Sequence, residues 1–237
     1  VLAVGDVVGS PGVRALEMGL NEWSEAKPDL LIVNGENLSG GSGVSRKAFQ
    51  KLTGKLGVHV ITTGNHWNRN RQIYDLLDSN KIALPGNAWN VDDFRQGFVT
   101  GQTQHGVPYA VCNMMGKAFM YGDNLDIHAE ASSEKQAIAN YPAGKWSLVF
   151  GTHTHVPTAD DRILGSGTGY LTDVGMTGSY DSVIGMEKQS AIQMLRGQKP
   201  PNKRKLGENQ LWANAVLTDI DAETGKCINI QRLQCRF

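Results

Sequence analysis

The 237-residue chain carries 23 Lys and Arg against 23 Asp and Glu, with 40% hydrophobic and 19% charged residues, as a globular protein does. That balance provides no basic field for which nucleic acid or an acidic membrane would be an obligatory partner. Apolar runs reach only about five residues against the ~20 needed to cross a bilayer, so no membrane span is expected. A single domain over residues 1–237 is expected, long enough to bury a sizeable core. No signal peptide precedes the first strand, and Val1 already lies in it, so the native chain is expected to start slightly earlier. Cys112, Cys227 and Cys235 are odd in number and widely spaced, which points to reduced thiols and a cytoplasmic location.

Leu2-Ala3-Val4 reads as a buried strand, left through Gly5-Asp6-Val7-Val8-Gly9. A helix follows, with Ser10 as N-cap, Pro11 at its first position, and Val13, Leu16, Leu20 and Trp23 on its apolar face. Asp29 to Val33 is a second strand, an unbroken apolar run covered on both faces. It ends in Asn34-Gly35-Glu36-Asn37 and a glycine-rich loop. Ser45 caps a helix to about Lys55, and Val58 to Thr62 is a third strand ending in Gly64-Asn65-His66-Trp67. A helix from about Arg69 to Asp78 completes the third strand–loop–helix unit. Such units imply a parallel sheet with right-handed crossovers.

Phe98 to Thr100 and Val107 to Asn113 read as a hairpin around Gln104-His105-Gly106. Leu125-Asp126-Ile127-His128 is another strand end, and a helix spans about Ser133 to Tyr141. The chain between Val111 and Leu125, turning at Tyr121-Gly122-Asp123, has little room for a crossover helix. Either the connection is antiparallel or a segment is absent. Leu148-Val149-Phe150 then runs into Gly151-Thr152-His153-Thr154-His155-Val156, two imidazoles one residue apart on a strand-end loop. Arg162–Leu164 and Gly169–Thr172 form a hairpin, Asp173 to Gly178 a loop, and Lys188 to Arg196 a helix. Leu211 to Ile220 and Cys227 to Leu233 close the chain as a hairpin. Parallel units followed by hairpins suggest an α/β fold of two packed mixed β-sheets flanked by helices.

Ligands of open α/β sheets bind beyond the carboxyl ends of the strands. Standing there are Asp6, Glu36 with Asn37, Asn65 with His66, His128, and His153 with His155. Singly, each has a structural reading: Asp6 as a helix cap, Asn37 as a turn residue, His128 as a core histidine. Together, two carboxylates, two amides and three imidazoles exceed what one tetrahedral zinc needs. They suit two metals about 3.5–4 Å apart, the arrangement used for in-line displacement at phosphorus. Glu36 has the reach to bridge them. Oxygen and imidazole donors without thiolate suit iron or manganese as well as zinc. His66, beside Asn65, is placed to protonate a leaving oxygen, with substrate orientation as the alternative role.

Gly5-Asp6, Asn34-Gly35-Glu36-Asn37, Gly64-Asn65-His66, Asp126 to Glu130 and Gly151 to His155 resemble the calcineurin-like metallophosphoesterases. More narrowly they resemble the bacterial YmdB-like branch, as do Thr172 to Gly178 and Tyr180 to Gly185. Broader members carry a histidine where Val8 stands, and an aspartate bridge where Glu36 stands. The resemblance implies a four-layer sandwich with Asp6, Glu36, Asn37 and His155 on one metal. Glu36, Asn65, His128 and His153 would hold the other, with His66 as proton donor. It further implies iron in both positions and phosphodiesterase action on cyclic nucleotides with some phosphatase activity; the expected reaction is attack on a 2′,3′- or 3′,5′-cyclic ester by a hydroxide bridging the metals. Trp67-Asn68-Arg69 replaces a usual acidic residue, and the segment near Tyr121 is short; both departures are expected near the substrate mouth.

Two other readings remain. A regulatory metal- or nucleotide-binding protein with little turnover would share every ligand. A dinucleotide-binding protein would use Gly5, Gly9 and Gly12, but their spacing is not G-x-G-x-x-G. The sequence leaves homo-oligomer formation open, with Trp89 or the cluster Lys203-Arg204-Lys205 as interface candidates.

Overall fold

The computed structural model describes residues 1–87, 94–116, 128–141, 144–199 and 205–237. The chain opens with β1 (Leu2–Val4) and, past Gly5, β2 (Asp6–Val7). A Cβ on Gly5 would lie 1.8 Å from the Gly175 carbonyl oxygen, so only glycine admits the neighbouring loop this closely. In α1 (Gly9–Glu22), Val13 and Leu16 face the sheet as expected. Its N-cap is Val8, not Ser10. The Asn37 carbonyl accepts the Gly9 N–H at 2.9 Å, so the first turn is satisfied earlier and Ser10 is left exposed.

Next come β3 (Leu31–Asn34), α2 (Arg46–Gln50) and β4 (Val60–Thr62). Ser45 caps α2 by accepting the Ala48 N–H at 3.3 Å, but the helix widens into a π turn over Lys51–Lys55. The helix expected over Arg69 to Asp78 is instead two 3₁₀ segments, Trp67–Arg69 and Arg71–Ser79. Ile73 and Leu76 are buried three residues apart, a spacing that a three-residue repeat stacks on one face. After β5 (Ile82–Ala83), the hairpin of β6 (Phe98–Gln102) and β7 (Pro108–Cys112) forms as expected. There follow α3 (Ser132–Asn140), β8 (Leu148–Phe150), β9 (Arg162–Ile163) and β10 (Gly169–Leu171). The expected loop at Asp173 to Gly178 contains a strand, β11 (Met176–Ser179), then come α4 (Lys188–Leu195), β12 (Leu211–Ile220) and β13 (Cys227–Arg236).

The larger sheet runs β2-β11-β12-β1-β3-β4-β5, with β13 also on β12. Strands β1, β3, β4 and β5 are parallel, whereas β12 is antiparallel to β1, β11 and β13. In the second layer β10 lies between β8, to which it is parallel, and β9. His128 joins this piece to the β6–β7 hairpin by parallel bridges to Thr152 on one side and Met115 on the other. A parallel Met115–His128 bridge contradicts the antiparallel alternative for the short connection. The connection itself lies outside the described residues, as do Leu125 to Ile127, Trp89, Lys203 and Arg204.

Alternation along the strands separates three apolar interiors. Leu2, Val4, Leu31 and Val33 turn toward α1 and the 3₁₀ segments. Ala3, Ile32, Val60 and Val216 meet Val99, Val111 and Leu171 of the second layer. Val149 and Tyr170 pack on Ala139 of α3. Three interiors make four layers, helix–sheet–sheet–helix, with period-2 strands feeding both faces.

Candidate dinuclear metal site

All eight residues singled out in the sequence converge where the strands end. Around His128 Nε2 lie Glu36 Oε2 at 3.0 Å, His153 Nδ1 at 3.0 Å and Asn65 Oδ1 at 3.2 Å. Glu36, His128 and His153 form one group whose ligand atoms fall within 4.8 Å of one another; Asp6, Glu36 and His155 form a second. Glu36 belongs to both. It is 1% exposed, and its Oε1 accepts from the Asn37 amide at 2.8 Å while Oε2 faces His128.

Local structure explains how these side chains come together. Asp6, Glu36 and Asn65 each follow a buried parallel strand, so adjacent strands deliver them side by side. Gly64 is obligatory, because a Cβ there would lie 2.2 Å from His128 Nε2 and 2.4 Å from Glu36 Oε2. His153 and His155 have φ of 97° and 65°, a left-handed conformation costing non-glycine residues ~1–3 kcal/mol each. Asp173 holds the loop in it. Its Oδ2 accepts from the Thr154 N–H at 3.2 Å and hydroxyl at 2.9 Å, and its Oδ1 from the Gly175 N–H at 2.8 Å. Lys135 of α3 completes the anchor with Nζ 2.7 Å from Asp173 Oδ2, both side chains 1% exposed.

Each histidine has its far nitrogen engaged, which aims the near one at the site. His155 Nδ1 donates to the Ile184 carbonyl at 2.8 Å, turning Nε2 inward. His153 Nε2 lies 3.1 Å from Glu130 Oε2, turning Nδ1 inward. His128 Nδ1 lies 2.9 Å from Thr152 Oγ1, which also accepts from Asn34 at 3.2 Å. Of the supporting residues, Thr152, Glu130, Asp173 and Ile184 all stand inside the matched sequence segments, yet spacing alone gave them no role. Ile184, Lys135 and Asp173 lie far along the chain from the histidines they steer.

The electrostatics suit cations. Burial pushes the Asp6 carboxyl up, and its Oδ1 is buried without any hydrogen bond. Burial would also raise Glu36, but His128 beside it and hydrogen bonds from His128 and His66 outweigh this and hold it well below the usual range. Burial and the neighbouring His128 lower His153 to about 4, keeping it as the neutral imidazole that ligates metals. An orphaned carboxylate oxygen beside inward nitrogens and a shared glutamate is a donor set that divalent ions fit.

Asn37 presents its amide nitrogen to the site, 3.2 Å from His155 Nε2, while its oxygen lies 2.9 Å from His66 Nδ1. A half-turn about Cβ–Cγ exchanges the two atoms and gives the site an oxygen donor. His66 is one-third exposed at the edge of a cavity of about 350 Å³, lined also by Val8, Glu130, Ile184, Met186 and Leu206. Trp67 does not reach this mouth; it is buried in the helix-side core, edge-on to Tyr74.

A four-layer sandwich that brings two ligand groups with a shared carboxylate to its strand ends defines a metallophosphoesterase. A family model described as "YmdB-like protein" matches residues 2–124 and 123–233. The chain belongs to the YmdB-like family. It is 35% identical over 260 aligned positions to the 2′,3′-cyclic-nucleotide 2′-phosphodiesterase of Bacillus subtilis strain 168, covering 98% of this chain and 96% of that protein. A solved hypothetical protein of Thermus thermophilus matches with TM-score 0.88 and 32% identity, covering 99% and 98% of the two chains. A novel phosphatase of Mycoplasma pneumoniae matches with TM-score 0.88 and 27% identity, covering 99% and 92%. The two pieces of the family match meet at residues 123–124, beside the short connection at Tyr121.

Proposed function

We propose that this chain is a metal-dependent phosphodiesterase of the cytosol acting on small phosphate esters, specifically 2′,3′- or 3′,5′-cyclic nucleotides. The observation that carries the reading is the buried Glu36 carboxylate facing two ligand groups at once. Asp6, Glu36, Asn37 and His155 would hold one ion; Glu36, Asn65, His128 and His153 the other. We assign iron to both positions, in keeping with a donor set of oxygens and imidazoles, with manganese or zinc as substitutes. When bound, the ions supply charge to neutralise the phosphoryl oxygens and an activated water at neutral pH. His66 stands at the cavity edge with Nδ1 engaged by Asn37, so Nε2 is the atom that hands a proton to the departing ester oxygen. The 35% identity to a 2′,3′-cyclic-nucleotide 2′-phosphodiesterase supports the substrate class.

Elemental analysis paired with a screen of cyclic nucleotides tests this. His153→Ala is expected to lose metal and hydrolysis together. His66→Ala is expected to keep its metal and lose about 10²–10⁴ in turnover. Undiminished hydrolysis by metal-free His153→Ala protein would overturn the proposal.

A further inference from the structure

Val183-Ile184-Gly185-Met186 is a tight turn closed by the Val183 N–H to the Met186 carbonyl at 2.8 Å and the Met186 N–H to the Val183 carbonyl at 2.9 Å. Its two central residues have φ of 46° and 97°, the positive pair a type I′ turn demands. Glycine, asparagine and aspartate suit the first of these positions; a β-branched side chain there is an outlier. Ile184 is also 58% exposed, so its hydrocarbon is not compensated by burial. Its carbonyl positions His155, but any residue supplies a carbonyl. Backbone strain and an exposed apolar side chain thus coincide on the wall of the metal cavity.

We infer that Ile184 is a specificity-determining residue whose side chain, with Met186 and Leu206, forms an apolar shelf for the nucleobase of the ester. This rests on the phosphodiesterase reading. The same cavity is lined by Glu36 and His66, so a phosphate over the ligands has its nucleoside substituent within the cavity that the shelf also lines. Val8 also lines that cavity and adds to its apolar surface. A shelf without hydrogen-bonding side chains reads a base by contact, so it favours esters that carry a base without strongly choosing among bases.

The test compares 2′,3′-cyclic AMP and 2′,3′-cyclic CMP with the 2,3-cyclic phosphate of 1-deoxyribose, the same fused diester without a base, and with ethylene phosphate, the five-membered cyclic diester without ribose or base. Ile184→Asn relieves the turn, and a rise in Tm of about 2–4 °C is expected. The kcat/KM preference for either nucleotide over the 1-deoxyribose diester should fall about tenfold, mainly through KM for the nucleotides. Ile184→Ala, which keeps the strained turn but removes the shelf, should lose the preference without gaining Tm. An unchanged preference in both variants would overturn the inference. So would an equal loss toward the nucleotides and both base-free diesters, which would assign Ile184 to positioning His155 alone. If the wild type hydrolyses none of these diesters, the phosphodiesterase reading fails instead. Calorimetric titration with AMP and inorganic phosphate then decides the shelf: Ile184→Ala weakening AMP alone upholds it, and equal affinities overturn it.

Discussion

Thr152 would support the proposed metal site through an atom that touches no metal. Its hydroxyl takes the Asn34 amide on one side and faces His128 Nδ1 on the other, fixing the ring that stands 3.0 Å from Glu36. Removing such a partner from a metal-ligating histidine commonly costs 10–100-fold in metal affinity. Thr152→Val preserves shape and deletes both hydrogen bonds, so it should weaken metal retention by about 10–100-fold; competition against a graded chelator measures this. Residue types were legible in the sequence because ligands must be carboxylates, amides or imidazoles, a short list that stands out at strand ends. Their supporting partners were not, because threonine, a carbonyl oxygen or a glutamate has many uses and His155 meets Ile184 only after the chain has folded.

At the scale of elements, the His153–His155 loop depends on α3 behind it. Lys135 carries a fully buried charge, expensive unless paired, and Asp173 is its partner at 2.7 Å. Lys135→Met should cost about 3–5 kcal/mol in denaturant unfolding by stranding Asp173, and Lys135→Met with Asp173→Asn should recover part of it. Asp160 ties the β9–β10 hairpin to the same region, accepting from Thr158 at 2.7 Å and from Thr172. Partial burial raises its carboxyl, but hydrogen bonds from Thr172, Thr158 and Arg162 outweigh this and lower it. A folded-state pKa below the unfolded value gives stability that is complete above the ordinary carboxylate range and drains away as pH falls through the lowered value. Urea midpoints from pH 6 to pH 2 should therefore fall further for the wild type than for Asp160→Asn. Nothing in the run Ser-Ser-Glu-Lys marks Lys135 as buried, because helical spacing reports a face only when its residues are apolar. Strand β11 was hidden for a related reason: Met-Thr-Gly-Ser has turn-like composition and becomes a strand only by pairing with β2 and β12.

For the molecule as a whole, two sheets share one apolar interior and the ligands stand at its rim, so metal binding and packing are coupled. Ions that bind the folded state alone stabilise it by mass action. Chelator-treated protein should melt several degrees lower than the metal-loaded form, and added metal should restore the difference; scanning calorimetry checks both. The layered fold was readable in advance because unbroken apolar strands alternating with amphipathic helices admit few architectures. The exact sheet order was not, since β12 enters between β1 and β11 from more than thirty residues after the last of them.

Glu36 facing two ligand groups at once is the feature on which the proposed chemistry turns, since in that reading it serves both ions. Metal-to-protein stoichiometry, measured by elemental analysis on the wild type and on Glu36→Ala, His153→Ala and His155→Ala, tests it most directly. Two equivalents in the wild type are predicted, with one lost from each histidine variant at least and both lost from Glu36→Ala. A wild-type ratio of one, or Glu36→Ala retaining a full equivalent with unchanged affinity, would contradict it.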